Sequence, residues 1–579
     1  ITVAEPITIN GSGVSSDGAI YFLSGNNTYS GAITLGSSST ITSDAGNQTI
    51  SGTINGAYTL NITTVGDLTL SGNIGSNTNI SSLVTSVSTT LTLSADITTS
   101  ASSGTAIDFS AKKIAQGAGV DISSSGGNIT YTVASGASTS SNDYPINITG
   151  SSGNNATINA GGGNIVISST SATGTSGGSD RAISLNYADI TTSGSGTIDI
   201  TGDATLNPNT GNAWGIQTTG VKIQSGSGDI TLTFTGGKSS GNSRGLAVDY
   251  GTFKVLSTSG TISLIDTSPS GLTGNYNGLY LRPNANDAIR FGADGSNVLS
   301  SSSNIVISAD KLDFVNSNNK FDTSGTITIN SPDGSFDAAV VIDAVALAGS
   351  PTGFTVGKST NTSDVTLGTT LSVAGPINIY GDDIIINSSQ TLTAGTNSNI
   401  VLSAASNFIN NSGASALNVS GTGRWIVYAA DNDNSTFGSL NSANTPIWSS
   451  TYSSLAPASV SSGNRYVFAE SATQSVTFTT TDETITYGDS LDLTDNYSLT
   501  TSGVAGLANV YSATNSGASI ALGTVYSSNP TITISATGAS NSSSGNTEAG
   551  SYTLAISLSG GSVNSGYTVS TSGTGTLTV

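Results

Sequence analysis

The chain has 579 residues, 8% of them charged and 35% hydrophobic, with 35 Asp and Glu against 14 Lys and Arg and a formal net charge of −21. That surplus repels a nucleic-acid phosphate backbone, and the absence of His, Cys and Met removes imidazole bases, thiol nucleophiles, disulfides and thiolate metal sites. Charge is far below the roughly 25% of an average soluble domain, yet the apolar content is too high for a typical disordered chain; the polarity comes from neutral Ser, Thr, Asn and Gly, residues of strands and tight turns.

The first residues, ITVAEPITIN, alternate like a strand and carry neither the basic nor the apolar stretch of a signal peptide. An export signal is therefore expected to have been removed or to lie outside this chain. Alternating runs follow at AITLG (32–36), TLNITTVGDLTLSG (59–72), TLTLSADITT (90–99) and GNITYTV (127–133), and the 31 residues from Leu60 to Leu91 read as one repeat.

Regularity is sharpest from residue 165. The apolar pairs Ile165/Ile167, Ile198/Ile200, Ile230/Leu232 and Ile262/Leu264 recur at steps of 33, 32 and 32 residues. A second pair follows each: Ile183/Leu185, Trp214/Ile216, Leu246/Val248 and Leu279/Leu281. A third strand carries Ile190, Val221/Ile223, Phe253/Val255 and Ile289/Phe291. Three short strands per unit, each with one apolar face, describe one coil of a parallel β-helix; a single coil cannot bury that face, but a stack can. A propeller blade needs four antiparallel strands, and the Leu/Asn frame of a leucine-rich repeat is missing. The predicted interior includes Ile198, Trp214, Ile230, Leu232, Leu246, Ile262 and Leu279, with Trp214 among aliphatics.

Looser copies continue at SNIVISA (303–309), GTITIN (325–330), SDVTLG (363–368), GPINIYGDDIIINSS (375–389) and SNIVLSA (398–404). About fifteen coils spaced ~4.8 Å apart give a shaft on the order of 70 Å over residues 1–423. AAVVIDAVALAG (338–349) carries Asp343 and is too short for the roughly 20 residues of a membrane span. GFTVGKST (353–360) is one residue short of a phosphate loop between Gly353 and Gly357, and no helix pattern follows it. Paired carboxylates of a β-helical lyase or glycosidase have candidates in Asp310 with Asp313 and Asp382 with Asp383; Asp beside Asn and Gly also reads as turn chemistry.

At Gly423 the composition changes. Residues 424–474 hold two of the three Trp residues, and Trp425, Tyr428, Trp448, Tyr452, Tyr466 and Phe468 are expected to cap the open end of the stack. A sharper reading makes these rings a sugar-binding platform. DNDNS (431–435) alternates Asp431, Asp433 and Ser435 as calcium loops do, but Gly438 stands at the eighth position instead of the sixth and no Glu takes the twelfth, so a polar turn is expected. Residues 475–579 read as a separate small β domain.

The run GRWIVYAADNDNSTFGSLNS, with PIWSSTY, NRYVFA, TITYGDSL, AGSYTLAIS and GTLTV after it, resembles the C-terminal parts of filamentous-haemagglutinin-type bacterial exoproteins. Tyr487-Gly488 is similar to the Tyr-Gly of their small MBG domains, and VAGPINIYGDDIIINSSQTLTA (373–394) resembles their shaft repeats. The resemblance implies a secreted or surface-held adhesin or fibre protein, exported through an outer-membrane transporter by two-partner secretion. The Asn-Pro-Asn-Gly signature of that family's secretion domain is not found in the sequence. The lack of Cys fits passage through a pore unfolded.

The sequence thus predicts an all-β chain: a right-handed parallel β-helix, a cap and a small β domain. It is expected to be non-enzymatic, without cofactor, extracellular or held at the bacterial surface. Expected partners are host or neighbouring-cell glycans or proteins and the chain itself. Self-assembly is expected end to end, the final strand GTLTV adding to the edge at ITVAEPITIN. A polymerising filament subunit is the alternative function, and a polysaccharide lyase or glycosidase the third.

Overall fold

The computed structural model describes residues 1–134, 144–170, 179–205, 212–237, 242–269, 276–282, 288–314, 319–343, 345–432, 434–444, 446–471, 474–503, 519–564 and 567–579. The chain divides into two compact units, Ile1–Ile400 with Val419–Gly423 and Val401–Asn418 with Arg424–Val579.

The first unit is a parallel β-helix. One interior position can be followed from coil to coil through directly paired residues: Ile20, Ile41, Ile62, Thr85, Phe109 and Tyr131. The same row continues through Ile167, Ile200, Leu232, Leu264, Ile307, Ile329 and Val356 to Ile379. Every pairing in it is parallel, so each coil lends its neighbour a complete hydrogen-bonded edge. Because side chains alternate across a strand, Thr and Ser between the apolar positions face outward.

Coil length varies. Leu60 pairs with Leu83, Leu83 with Ile107 and Ile107 with Ile129, steps of 23, 24 and 22 residues. Ile165, Ile198, Ile230 and Ile262 keep steps of 33, 32 and 32, and Ile305 follows after 43. The 31-residue interval from Leu60 to Leu91 is therefore not a repeat: Leu91 lies on a different sheet, paired with Leu68 and Ile114. The interval covers one coil plus the turn onto the next sheet.

Where the second and third strands fuse, in Asn212–Gln224 and Ser243–Leu256, the chain turns the corner at Gly220 (φ 64°) and Gly251 (φ 72°). These left-handed positions favour glycine. A Cβ on Gly220 would meet the Tyr187 ring at 2.9 Å, so the glycine also makes room for the aromatic residue of the coil before it.

A register correction accompanies this corner. Ile183 pairs with Ile216, Ile216 with Leu246 and Leu246 with Leu279, so Trp214 is not the counterpart of Leu246. Trp214 is in register with Arg181 and Arg244. A slip of two residues preserves the inside–outside pattern, so alternation alone does not distinguish the two registers.

In the second unit Trp425–Ala429 pairs in parallel with Arg465–Phe468. The small domain that follows joins Gln474–Thr480 to Tyr497–Gly503 antiparallel and to Tyr567–Ser572 parallel. Val476, Phe478, Leu499, Val525, Tyr526 and Ile556 form its core. The final strand, Thr576–Thr578, is flanked on both sides, by Glu483–Thr484 and Ser551–Ser559. It offers no open edge, which removes the expected route of end-to-end strand addition.

Candidate functional site

The interior candidates Ile198, Ile230, Leu232, Leu246, Ile262 and Leu279 are all 0% exposed. Trp214 is buried differently. Its ring lies between two guanidinium groups, Arg181 at 4.6 Å and Arg244 at 4.7 Å, and its indole N–H donates to the Asn242 carbonyl at 2.8 Å. Arg244 also lies 3.4 Å from the Tyr280 ring and pairs with Asp249 at 2.6 Å. Ring faces on neighbouring coils hold both cations and Asp249, on Arg244's own strand, pairs with Arg244; such cation–π contacts are strengthened by exclusion of water.

In the second unit, Tyr466 is the hub of an aromatic cluster. Its ring centroid lies 5.0 Å from Trp425 and 4.9 Å from Phe437, and its hydroxyl donates to the Leu440 carbonyl at 2.7 Å. Trp448 packs on Phe468 at 4.9 Å. Trp425 is 2% and Tyr466 0% exposed, so neither has a face left for a sugar ring. Burial accordingly pushes the Tyr466 hydroxyl well above the usual phenol range.

Asp431 spends its side chain locally: Oδ1 accepts from the Asn434 backbone N–H at 2.9 Å and Oδ2 from the Asn434 side-chain amide at 3.1 Å. The Ser435 hydroxyl donates to the Asp431 carbonyl at 2.8 Å. This is turn geometry. Asp433 lies outside the described residues, among which no group of three or more Asp or Glu is arranged to hold a metal ion.

The carboxylate pairs proposed from sequence do not converge. Asp313 bonds Arg282 at 2.9 Å, whereas Asp310 is 4% exposed and turned into the corner of the coil. Asp382 and Asp383 sit in a turn, their backbone N–H groups donating to the Ser363 carbonyl and to Asp364 Oδ1. Lys358 reaches the Pro332 carbonyl at 3.2 Å.

What the sequence did not reveal is a line of carboxyl groups on consecutive coils. Asp266 ends Ile262–Asp266, where the preceding coil places Phe234, and is 0% exposed. The Tyr276 hydroxyl stands 2.8 and 2.7 Å from its two oxygens, and the Ser268 backbone N–H donates to it at 3.0 Å. Asp310 stands one coil on, and the Ser331 hydroxyl of the coil after that lies 2.5 Å from Asp310 and 2.6 Å from Asp333, while accepting from the Asp333 and Gly334 backbone N–H groups.

Proton counting orders this corner. Ser331 has one hydroxyl proton and two carboxyl neighbours, so it donates to only one of them at a time. Burial, reinforced by the negative charges of Asp333, Asp337 and Asp266, pushes Asp310 up to about 6 against the Ser331 hydrogen bond. The same hydroxyl holds Asp333 below the usual carboxylate range. Burial also raises Asp266, although Tyr276 and Ser268 stabilise its charged form. Asp266 and Asp310 are sealed from a polymeric substrate.

Compared with known proteins, the chain matches no family model, no curated sequence and no solved structure.

Proposed function

We propose that this chain is a non-enzymatic structural and adhesive protein, secreted by or held on a bacterial cell, in which a stiff shaft displays its outer surface to glycans or proteins of other cells. The observation that carries the reading is the parallel row from Ile20 to Ile379, in which the interior is filled coil by coil and outward positions stay available. Stacked repeats of this kind present extended surfaces in place of a single deep pocket. The buried state of Asp266 and Asp310 supports a structural role for the carboxyl corner over hydrolysis. No helix among the described residues is long and apolar enough to cross a membrane. The test coats beads with the full chain and scores attachment to cultured cells, with a reducing-end assay on polysaccharides in parallel. Attachment above beads carrying the unfolded chain, without sugar release, is expected. Sugar release, or no attachment to any cell type, overturns the reading.

A further inference from the structure

The 14 Lys and Arg residues are not spread evenly along the chain. Residues 181–320 hold nine of them against ten Asp, whereas the rest of the chain holds five against 25 Asp and Glu. Four of the nine form a single row. Lys222 pairs with Lys254, Lys254 with Arg290 and Arg290 with Lys320, on four consecutive coils of one sheet. The row points outward because Val221 and Ile223, on either side of Lys222, are buried.

Like charges placed directly opposite each other on neighbouring strands are destabilising, and here three such pairs occur in succession at strand spacing, about 4.8 Å. The neighbouring acids relieve part of that cost: Asp189 holds Lys222 at 3.1 Å, Asp294 holds Lys254 at 2.9 Å and Asp322 holds Lys320 at 2.9 Å. The ammonium side chains of Lys222 and Lys320 nonetheless remain 24% and 39% exposed. Across the Gly251 corner from Lys254, Tyr250 is 60% exposed. Three carboxylates against four cations still leave the row net positive on a strongly acidic chain.

The complementary surface lies in the same sequence. Residues 474–579 contain six Asp and Glu and no Lys or Arg, so nothing within the small domain pairs with its acids. Asp482, Glu483, Asp489, Asp492 and Asp495 all fall in the connection between Gln474–Thr480 and Tyr497–Gly503, with Glu483 in the short strand Glu483–Thr484. Their partners are neutral donors: the Thr576 N–H for Asp482, the Asn496 amide for Glu483, the Thr486 N–H for Asp489. Taken together, the chain outside 181–320 offers such a loop five cations against 25 acids.

We propose that the Lys222–Lys254–Arg290–Lys320 row is a docking site for the acidic 482–495 loop of a second copy of this chain. The contact is electrostatic and lateral. It rests on the structural reading above and names the partner that builds an assembly from single chains.

The test uses sedimentation velocity on full-length protein. Wild type is expected to associate at ~50 mM salt and to disperse near ~1 M, where the Debye length falls to about 3 Å. Lys222→Glu with Lys320→Glu cancels the row's charge while leaving Lys254 on Asp294, which is 2% exposed. Asp492→Lys with Asp495→Lys reverses the loop. Each double variant alone is expected to associate at least ~10-fold more weakly, and an equimolar mixture of the two to regain association. Circular dichroism checks that both are folded. A monomeric wild type, unaffected variants, or a mixture that stays dispersed overturns the proposal. So does an acidic polysaccharide that saturates the row of a chain which never self-associates. Bead attachment separates the outcomes: dispersed chains that still attach sink only the docking, while associating chains that never attach sink only the adhesive role.

Discussion

The hydroxyl of Ser331 stands 2.5 Å from Asp310, 21 residues earlier in the chain and one coil away. With Asp333 on its other side, it makes the corner a proton store whose filling depends on pH.

Asp310 is raised to about 6 from an ordinary value of 3.8, so the protonated form is the one the fold favours. Its contribution is fully present below pH 3.8 and is lost as pH rises through about 6. Asp266, Asp199 and Asp108, raised chiefly by burial, act in the same direction. Asp294, held low by Lys254 and Asn297 despite its desolvation, acts oppositely and loses its contribution in strong acid. Asp310→Asn keeps a donor toward Ser331 at every pH. It is expected to raise the unfolding free energy at pH 7 by on the order of 2 kcal/mol, and the melting temperature with it, and to be neutral near pH 4. A variant destabilised more at pH 7 than at pH 4 contradicts this protonation scheme.

Ile230 pairs with Ile198 and Ile262 and is 0% exposed, whereas Thr231 faces outward. Ile230→Asp buries an unpaired charge and is expected to cost more than about 4 kcal/mol. Thr231→Asp is expected to cost less than about 1 kcal/mol, as surface changes do. Denaturant titration of both variants decides the facing; equal losses refute it.

Thr85 occupies the interior row between Ile62 and Phe109, and its hydroxyl is buried without a partner. Thr85→Val keeps the shape and removes the unsatisfied group, so a gain of about 1 kcal/mol is expected. Gln116 offers the contrast. It is equally interior, but its amide donates to the Val120 and Thr157 carbonyls and its oxygen accepts from Tyr131 at 2.8 Å. Gln116→Leu strands those groups and is expected to cost about 2–3 kcal/mol. Melting curves that rank the two changes the other way rule out this hydrogen-bond assignment.

Asp431 has both carboxylate oxygens engaged by Asn434. Chelator or added calcium is expected to leave the melting temperature unchanged, and a shift of several degrees with calcium would restore an ion site there.

The shaft was legible in the sequence because burial forces a period. Ile198, Ile230 and Ile262 recur at the step their direct pairing requires. Coils of other lengths blur that signal, which is why Leu60 to Leu91 mimics a repeat while Leu60 actually meets Leu83. Trp214 was misplaced by two residues because such a slip leaves the facing intact. The Asp266, Asp310 and Ser331 corner was not legible at all. Its members lie 44 and 21 residues apart, intervals set by the loops, and each alone looks like a turn residue. The cationic row is equally hidden: Lys222, Lys254, Arg290 and Lys320 align only once the register is fixed.

The central claim is that the chain builds a continuous stiff shaft for display. Its most direct test is negative-stain imaging of the full-length protein in ~0.5 M salt, where charge-driven association is screened. Straight, uniform shafts from the first unit are expected, on the order of 70 Å long at ~4.8 Å per coil. Round particles, or chains that bend freely along residues 1–400, would contradict it.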